Sequence, residues 1–213
     1  MKAKKESTLP DKKIVIKHIT DGESTHNFTV SADSDLTLVL LALHTKSVNT
    51  DVTVRLTGRN AVATIIGIIV ASGKSQVHIH TMQIHGGPSG TSNLLIKTVL
   101  DDEAQCVVDG GIRVEKDAQK TDAYQRNENI LLSEHAHAES KPSLEILAND
   151  VRCTHGATVG PVSDEELWYL KTRGISEAQG ARLIVSGFLK SALDRVDNQK
   201  FREDLWQTIE RAI

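Results

Sequence analysis

Aromatic side chains are scarce in this sequence. Trp, Tyr and Phe together make up 3% of its 213 residues. Val, Ile, Leu and Ala must therefore fill the interior almost alone, which favours aliphatic side chains stacked in layers. The same shortage argues against a pocket for a flat organic ligand, because such pockets usually have aromatic walls.

Cysteines are few as well. Cys106 and Cys153 are the two in the chain, so a disulfide scaffold is excluded although one bridge is possible. This usage favours a reducing compartment, and we expect a cytoplasmic protein. The net charge is -3 and the isoelectric point is near 6.3, which gives no electrostatic argument for binding nucleic acid.

Long apolar runs are missing. The longest candidate, 61–71, is interrupted by Thr64 and Gly67, and it falls short of the ~18 apolar residues of a membrane span. The N-terminal stretch MKAKKESTLPDKK is basic, but no apolar segment of the signal-peptide type follows it, so export is not expected. We interpret residues 1–13 as a flexible tail.

Residues 14–160 show a hydrophobic period of two. Val52, Val54 and Leu56 alternate with polar residues, and the same alternation recurs further along. This pattern indicates short β-strands. The segment LTLVLLALH at 36–44 fits a helix or a strand by periodicity alone, and its strand-like neighbours favour a strand.

The strand pattern alone does not determine how the strands are arranged. A sandwich, a barrel and a solenoid all contain many short strands. Turn signals recur at short intervals, as at 58–60, 72–73 and 86–88, but they lack the Asn-Gly dipeptides of tight hairpins. Together with the aliphatic core, this favours a parallel β-solenoid, although no strict sequence repeat is visible.

The periodicity changes after Pro161, and residues 161–213 are expected to form a small helical domain. Ser163 and Glu166 have the spacing of a capping box, in which each residue satisfies a backbone N–H of the other. The helix that follows should stop at Gly174, because glycine readily adopts the left-handed conformation that ends helices.

Two more helices are expected after this one. A second capping box at 176–179 starts a helix that ends near Arg195. Asp197 or Asn198 begins the last helix. Its apolar stripe consists of Phe201, Leu205 and Ile209.

The segment GIIVASGKS resembles a nucleotide-binding phosphate loop but departs from it. Such a loop has four residues between its first glycine and a Gly-Lys-Ser/Thr, whereas five separate Gly67 from Gly73. A strand pattern, QVHIHTMQIH, follows where a helix is required. We interpret the segment as a turn between strands and expect no ATP site in this chain.

Histidines cluster at His78, His80 and His85. On a strand, His78 and His80 share a face about 7 Å apart, and they could hold a metal ion if a neighbouring strand supplied a third ligand. A mononuclear hydrolytic site is therefore one hypothesis. The solvated face of a half-buried strand is the favoured interpretation.

Cys153 and His155 share a face in the same way on an extended segment. Strand spacing holds them too far apart for a nucleophilic dyad without a bend. Thiolate and imidazole are both good iron or zinc ligands, but two ligands cannot hold a metal alone, so others must come from elsewhere, such as a second subunit. The alternative is a buried cysteine and a hydrogen-bonded histidine at a domain boundary.

Several long motifs follow one another between residues 117 and 188. They are QKTDAYQ at 119–125, NILLS at 129–133, KPSLEI at 141–146, CTHGATVG at 153–160 and YLKTRGI at 169–175. In sequence and in order, they closely resemble the SufB/SufD family of iron–sulfur cluster assembly proteins, and a weaker likeness extends over most of 50–190.

The resemblance implies a right-handed parallel β-helix core, 14–160, with a C-terminal helical domain, 161–213. It also implies a non-enzymatic scaffold that pairs with a second SufB/SufD-like subunit and docks a SufC-like ABC ATPase through its C-terminal helices. The docking residues expected from the match are Glu166, Trp168, Tyr169, Arg173, Gly174, Ile175 and Phe188.

The motif is similar to that of D-type members. Residues 127–132 lack the cysteine that B-type members carry there, and His155 is followed by Gly156 rather than by glutamate. In D-type members the matching histidine is implicated in cluster formation near the subunit interface. By position, His155 inherits this role, Cys153 is the adjacent candidate ligand, and a transient iron–sulfur cluster would form at the interface.

One departure bears on pairing. Family members usually carry a longer region before the β-helix, whereas this chain starts almost directly with strands. It could be a minimal relative that pairs with itself, as a homodimer, where longer members form a heterodimer, or it could be a shortened form of a longer protein. A purely structural assembly subunit without cluster ligands is the alternative function.

Overall fold

The computed structural model describes residues 12–213, which form β-strands followed by helices. The strands are β1 (Lys12–His18), β2 (Gly22–Val30), β3 (Asp35–Leu43), β4 (Ser47–Leu56), β5 (Val62–Ala71), β6 (Gln76–His85), β7 (Thr91–Leu100), β8 (Gln105–Val114), β9 (Thr121–Leu131), β10 (His137–Ile146) and β11 (Val151–Pro161). The helices are α1 (Asp164–Thr172), α2 (Glu177–Lys190), a short 3-10 helix (Ser191–Arg195) and α3 (Gln199–Glu210).

The strands form two parallel sheets between which the chain alternates. Sheet 1 has the order β1-β3-β5-β7-β9-β11, and sheet 2 has the order β10-β8-β6-β4-β2. Every recorded strand pair is parallel. The chain therefore winds as a β-solenoid with helices at its C-terminal end, and the predicted fold class is confirmed.

The solenoid core consists of aliphatic rows that run along its axis. Val48, Val77 and Cys106 lie at matching positions on successive strands of sheet 2, and all three are buried in one core cluster. Parallel pairing places residues at matching positions on the same face. Alternating apolar residues on each strand thus add one side chain to each row.

The segment 36–44 is confirmed as strand, and its composition now has a physical explanation. Leu36 and Leu38 of β3 face the solenoid interior, whereas Val39 and Leu41 face the other way and pack against the helices. A strand buried on both faces carries a continuous apolar run rather than an alternating one.

The helices cover the outer face of sheet 1. Val185 and Leu189 of α2 and Leu205 of α3 share one buried cluster with outward-facing residues of the sheet, such as Ile66 and Leu95. Burying each such aliphatic side chain contributes about 1.5–3 kcal/mol. The helical segment therefore shares a hydrophobic core with the solenoid.

The helix ends follow the sequence signals closely. Ser163 Oγ accepts a hydrogen bond from the backbone N–H of Glu166, which is one half of the predicted capping box, and the capping box of Ser176 has both of its hydrogen bonds. Gly174 adopts a left-handed φ of 81° after α1. Asn198 caps α3.

The apolar stripe predicted for the last helix is only partly buried. Leu205 and Ile209 are buried, but Phe201 is 37% exposed. Phe201 lies in the first turn of α3, so the apolar stripe extends beyond the buried part of the helix.

Most of the predicted N-terminal tail, 1–13, precedes the part of the chain that the structure describes. Residues 1–11 of the predicted tail lie outside the described residues, and β1 begins at Lys12. In the described part of the chain, no helix has both the length and the hydropathy needed to cross a membrane.

Successive coils touch backbone to backbone at one corner. A Cβ atom on Gly87 would lie 2.5 Å from the carbonyl carbon of Gly58, and one on Gly58 would lie 2.1 Å from the nitrogen of Ala32. No side chain fits at such distances, so glycine is required at both positions for the coils to stack this closely.

Candidate functional site

The last coil of the solenoid leaves two strand edges open. In the described residues, β11 pairs with β9 alone, and β10 pairs with β8 alone. An edge strand presents backbone N–H and C=O groups that can pair with another chain. The C-terminal end of the solenoid is therefore the place where a further strand or subunit can add.

Cys153 and His155 lie on the inner face of this last coil. They stand in register with Ala123 and Gln125 of β9, which are buried in the interior. Cys153 is half-buried and packs against a small cluster that includes Ile112, whereas His155 is exposed. The predicted shared face is confirmed, and it opens toward the end of the solenoid.

The surroundings of Cys153 do not favour a thiolate. Burial raises the pKa of its thiol, and the negative charge of Asp122 raises it further. Asp122 itself forms an ion pair with Arg152, whose Nε lies 3.0 Å from its Oδ1, and this pair lowers the pKa of Asp122. Cys153 is therefore no activated nucleophile, which agrees with the sequence argument against a dyad.

One chain does not complete a metal site at Cys153 and His155. Within residues 12–213, no third His, Cys or acidic side chain joins them in a group whose ligand atoms lie within 4.8 Å of one another. Further ligands for iron at this place would have to come from another chain.

The end of the solenoid also exposes apolar side chains, which we call the end surface. Leu144 and Ile146 of β10 stand in register with the buried Ile112 and Val114 of β8. They continue core rows but have no further coil above them. The end surface consists of Leu144 (38% exposed), Ile146 (39%), Leu147 (49%) and Val159 (48%).

Helix α1 presents a second exposed surface. Trp168 and Tyr169 are 67% and 54% exposed, and the guanidinium carbon of Arg173 lies 5.3 Å from the centre of the Tyr169 ring. Glu166, Arg173 and Gly174 are exposed as well, and Ile175 is half-buried. No residue of α1 is buried, so this helix is held on one side only.

Phe188 lies apart from these predicted docking residues. It packs against the cluster between α2 and sheet 1, with Lys97 Nζ 4.2 Å from the centre of its ring. Lys97 is buried and also forms an ion pair with Glu128 at 2.9 Å. Its Nζ donates a hydrogen bond to Ser191 Oγ, which ties the sheet to the end of α2.

Sequence reasoning missed the Lys97–Glu128 pair, although a signal was present. Lys97 interrupts the apolar run NLLIKTVL of β7. A charged residue in a strand buried on both faces needs a partner. The register of β7 with β9, which sequence alone does not give, identifies Glu128 as that partner.

The histidines of β6 divide between its two faces. His85 is buried, and its Nε2 lies 2.8 Å from Ser92 Oγ. Burial lowers the pKa of His85 to about 4, so it stays neutral. Of the three clustered histidines, His85 therefore lies on the opposite face of the strand from His78 and His80 and cannot share a metal site with them. His78 and His80 do lie together, and Asp109 of β8 joins them.

Comparisons with known proteins cover most of the chain. The family model described as SUF system FeS cluster assembly, SufBD core domain, matches residues 22–188. A SufBD family iron–sulfur cluster assembly protein of Synechocystis is 33% identical over 131 residues, covering 62% of this chain and 29% of the relative.

Two further relatives extend the match. Iron-sulfur cluster assembly protein SufD of Escherichia coli is 31% identical over 151 residues, 71% of this chain and 36% of the relative. A SufBD family protein of Mycobacterium bovis is 31% identical over 198 residues, 89% of this chain and 50% of the relative. The chain thus spans half or less of the length of these relatives. It belongs to the SufBD family of the SUF system for iron–sulfur cluster assembly.

Proposed function

We propose that this chain is a non-enzymatic scaffold subunit of SUF-type iron–sulfur cluster assembly. Its end surface would meet a second SufB/SufD-like subunit or a second copy of itself, and a transient cluster, as cargo, would form between them. The observation that carries the proposal is the position of Cys153 and His155 on the inner face of a terminal coil whose strand edges are open.

The end surface supports pairing of this kind. Its apolar residues continue buried core rows, so covering them with another subunit's terminal coil would complete those rows and remove apolar area from water. A two-fold or pseudo-two-fold interface would also place two such strands against each other.

Pairing would also supply the missing ligands. Each chain offers one thiol and one imidazole here, so two chains would offer four donors of the kinds that iron accepts. His155 is the first candidate because it is exposed, whereas Cys153 is half-buried and its thiol is the harder to deprotonate.

The exposed side of α1 is the proposed docking surface for a SufC-like ABC ATPase. Trp168 and Tyr169, with Arg173 stacked on the ring of Tyr169, are the residue types that dominate protein–protein interfaces. Nucleotide hydrolysis would take place in that partner. Its motion would reach the solenoid through α2, whose end is tied to sheet 1 by Lys97.

Anaerobic reconstitution tests the cluster role. The chain is purified with a SufB-like subunit and a SufC-like ATPase, supplied with ferrous iron and sulfide, and measured for iron, sulfide and visible absorption per complex. We expect His155→Ala to lose most of the cluster and His135→Ala, at another exposed histidine, to keep it. Equal cluster content in both variants would contradict a ligand role for His155.

A purely structural assembly subunit is the second candidate function. The raised pKa of Cys153 and the lack of a third ligand within the described chain favour it. In that case the double variant Cys153→Ser/His155→Ala would support cluster assembly normally, and only variants that break the subunit contact would fail.

A further inference from the structure

Three potential metal ligands converge on the outer face of sheet 2, away from Cys153 and His155. His78 and His80 are two positions apart on β6, and Asp109 of β8 stands in register with His80. Their side chains are 38%, 44% and 24% exposed. Two neighbouring strands therefore hold the three side chains, which face the solvent outside sheet 2.

The ligand atoms already have the spacing of a coordination sphere. Oδ2 of Asp109 lies 2.7 Å from Nε2 of His78 and 3.4 Å from Nδ1 of His80, and all three atoms lie within 4.8 Å of one another. Two atoms each ~2.1 Å from a metal ion are about 3.0 Å apart at a right angle and about 3.4 Å apart at a tetrahedral angle. An ion can enter with small rotations of the side chains.

The surroundings leave the carboxylate available. Lys141 stands in register with Asp109 on the other side, but its Nζ lies 3.2 Å from Glu139. Among the described residues, the side chains recorded within ion-pair distance of Asp109 are those of His78 and His80. The ammonium group of Lys141 therefore does not occupy the position beside Asp109 that a metal ion would take.

A second carboxylate lies beside these three side chains. Asp51 of β4 stands in register with His80, and it lines the same surface depression as His80 and Asp109. This depression has room for water molecules or a small anion beside the ion.

We propose that His78, His80 and Asp109 bind a first-row divalent transition-metal ion, such as Zn²⁺, Fe²⁺ or Co²⁺, with Asp51 or water completing the shell. Two imidazoles suit these ions better than Mg²⁺ or Ca²⁺, which take oxygen ligands. Because the protein ligands come from one side, the ion stays open to exchange. This site goes beyond the proposed function, no part of which uses the outer face of sheet 2.

Titration with Co²⁺ under anaerobic conditions tests the proposal. The full chain, stripped with a chelator, is titrated while the visible absorption of histidine-bound Co²⁺ and the heat of binding are recorded. We expect one high-affinity ion per chain. We expect His78→Gln/His80→Gln to abolish this binding and Asp109→Asn to weaken it by about tenfold or more.

A matched control is present in the chain. His135 and His137 form another His-x-His pair, and no third ligand joins them within residues 12–213, so His135→Gln/His137→Gln should bind Co²⁺ like the unmodified protein. The variant Cys153→Ser/His155→Gln should also bind normally. This control separates the new site from the proposed cluster ligands, so the two proposals can fail independently.

Two results would overturn the proposal. One is unchanged Co²⁺ binding in His78→Gln/His80→Gln, and the other is loss of binding in the His135/His137 control. Circular dichroism and thermal unfolding check that each variant folds. Zn²⁺ should raise the melting temperature of the unmodified protein and of the control by more than that of Asp109→Asn, because the stabilisation by a bound ion grows with its affinity for the folded state. A rise in Asp109→Asn equal to that of the unmodified protein would count against the site.

Discussion

The ammonium nitrogen of Lys97 lies 2.9 Å from a carboxylate oxygen of Glu128, beneath helices that cover sheet 1. The two side chains retain only 9% and 13% of their exposure. Removing one member of such a pair leaves the other charge buried without its partner, which is more costly than removing both. This pair is also a direct polar link between the solenoid and the helical segment, through Ser191.

We expect Lys97→Met to lower the free energy of unfolding by about 2–3 kcal/mol, since Glu128 keeps a contact with Arg126. Urea unfolding measures this. Lys74→Met is the matched control, because Lys74 and Glu103 are 83% and 60% exposed, and its effect should stay within about 0.5 kcal/mol. Equal losses of unfolding free energy in the two variants would show that burial does not increase the contribution of the Lys97–Glu128 pair to stability.

Gly87→Ala should destabilise the solenoid by about 1–3 kcal/mol, because the added methyl group would press on the backbone of Gly58. The same substitution at Gly187, in α2 with open space around it, should be neutral or stabilising by up to about 1 kcal/mol. Thermal unfolding of both variants measures the contrast. A neutral Gly87→Ala would contradict the close stacking at this corner.

The stability of the chain should depend on pH through His85. Its pKa is about 4 when folded and ~6.5 when unfolded, so the unfolded state binds the proton more readily. The stabilising effect is complete above about pH 6.5, and up to about 3 kcal/mol is lost as the pH falls toward 4.

His85→Gln should flatten this dependence, since the variant has no group to titrate there. The free energy of unfolding in urea at pH 7.5, 6 and 5 gives the slope for both proteins. A parallel decline in the two would show that other groups cause the loss.

Val159→Asp should weaken subunit pairing by about tenfold or more, because it places a charge in the apolar end surface. Leu183→Asp is the control, since Leu183 is 54% exposed on α2, away from that surface. Sedimentation equilibrium of each variant, alone and with a SufB-like subunit, measures the association. If the subunits still associate in Val159→Asp but not in Leu183→Asp, the interface lies on the helices instead.

Trp168→Ala should weaken binding of a SufC-like ATPase by about tenfold or more, as expected for a large exposed aromatic residue at the centre of an interface. Phe201→Ala, at an exposed aromatic residue of α3, should bind normally. Titration calorimetry gives both dissociation constants. An unaffected Trp168→Ala would exclude the exposed side of α1 as the docking surface.

The fold could be predicted largely from the sequence because its signals are local. Alternating apolar residues identify the strands, and Ser163, Gly174 and Asn198 mark helix ends through their own hydrogen bonds or backbone conformation. Cys153 and His155 could be placed on one face for the same reason, since a spacing of two is enough.

The partners of these residues could not be predicted, because they depend on register between strands. Asp109 joins His78 and His80 only because β8 pairs with β6 in one particular alignment. The position of His85 could have been found from sequence, since an odd separation of seven residues from His78 places it on the other face of the same strand.

The stacked rows allow the solenoid to change in length by whole repeats. The three central strands of sheet 2, β4, β6 and β8, are offset by 29 residues, as from Ser47 to Gln76 and from Gln76 to Gln105. Gaining or losing a whole repeat of this size would lengthen or shorten every row by one side chain and leave its neighbours in place. The last coil, which carries Cys153 and His155, would be unchanged. The length of the solenoid and the residues at its end can therefore evolve separately.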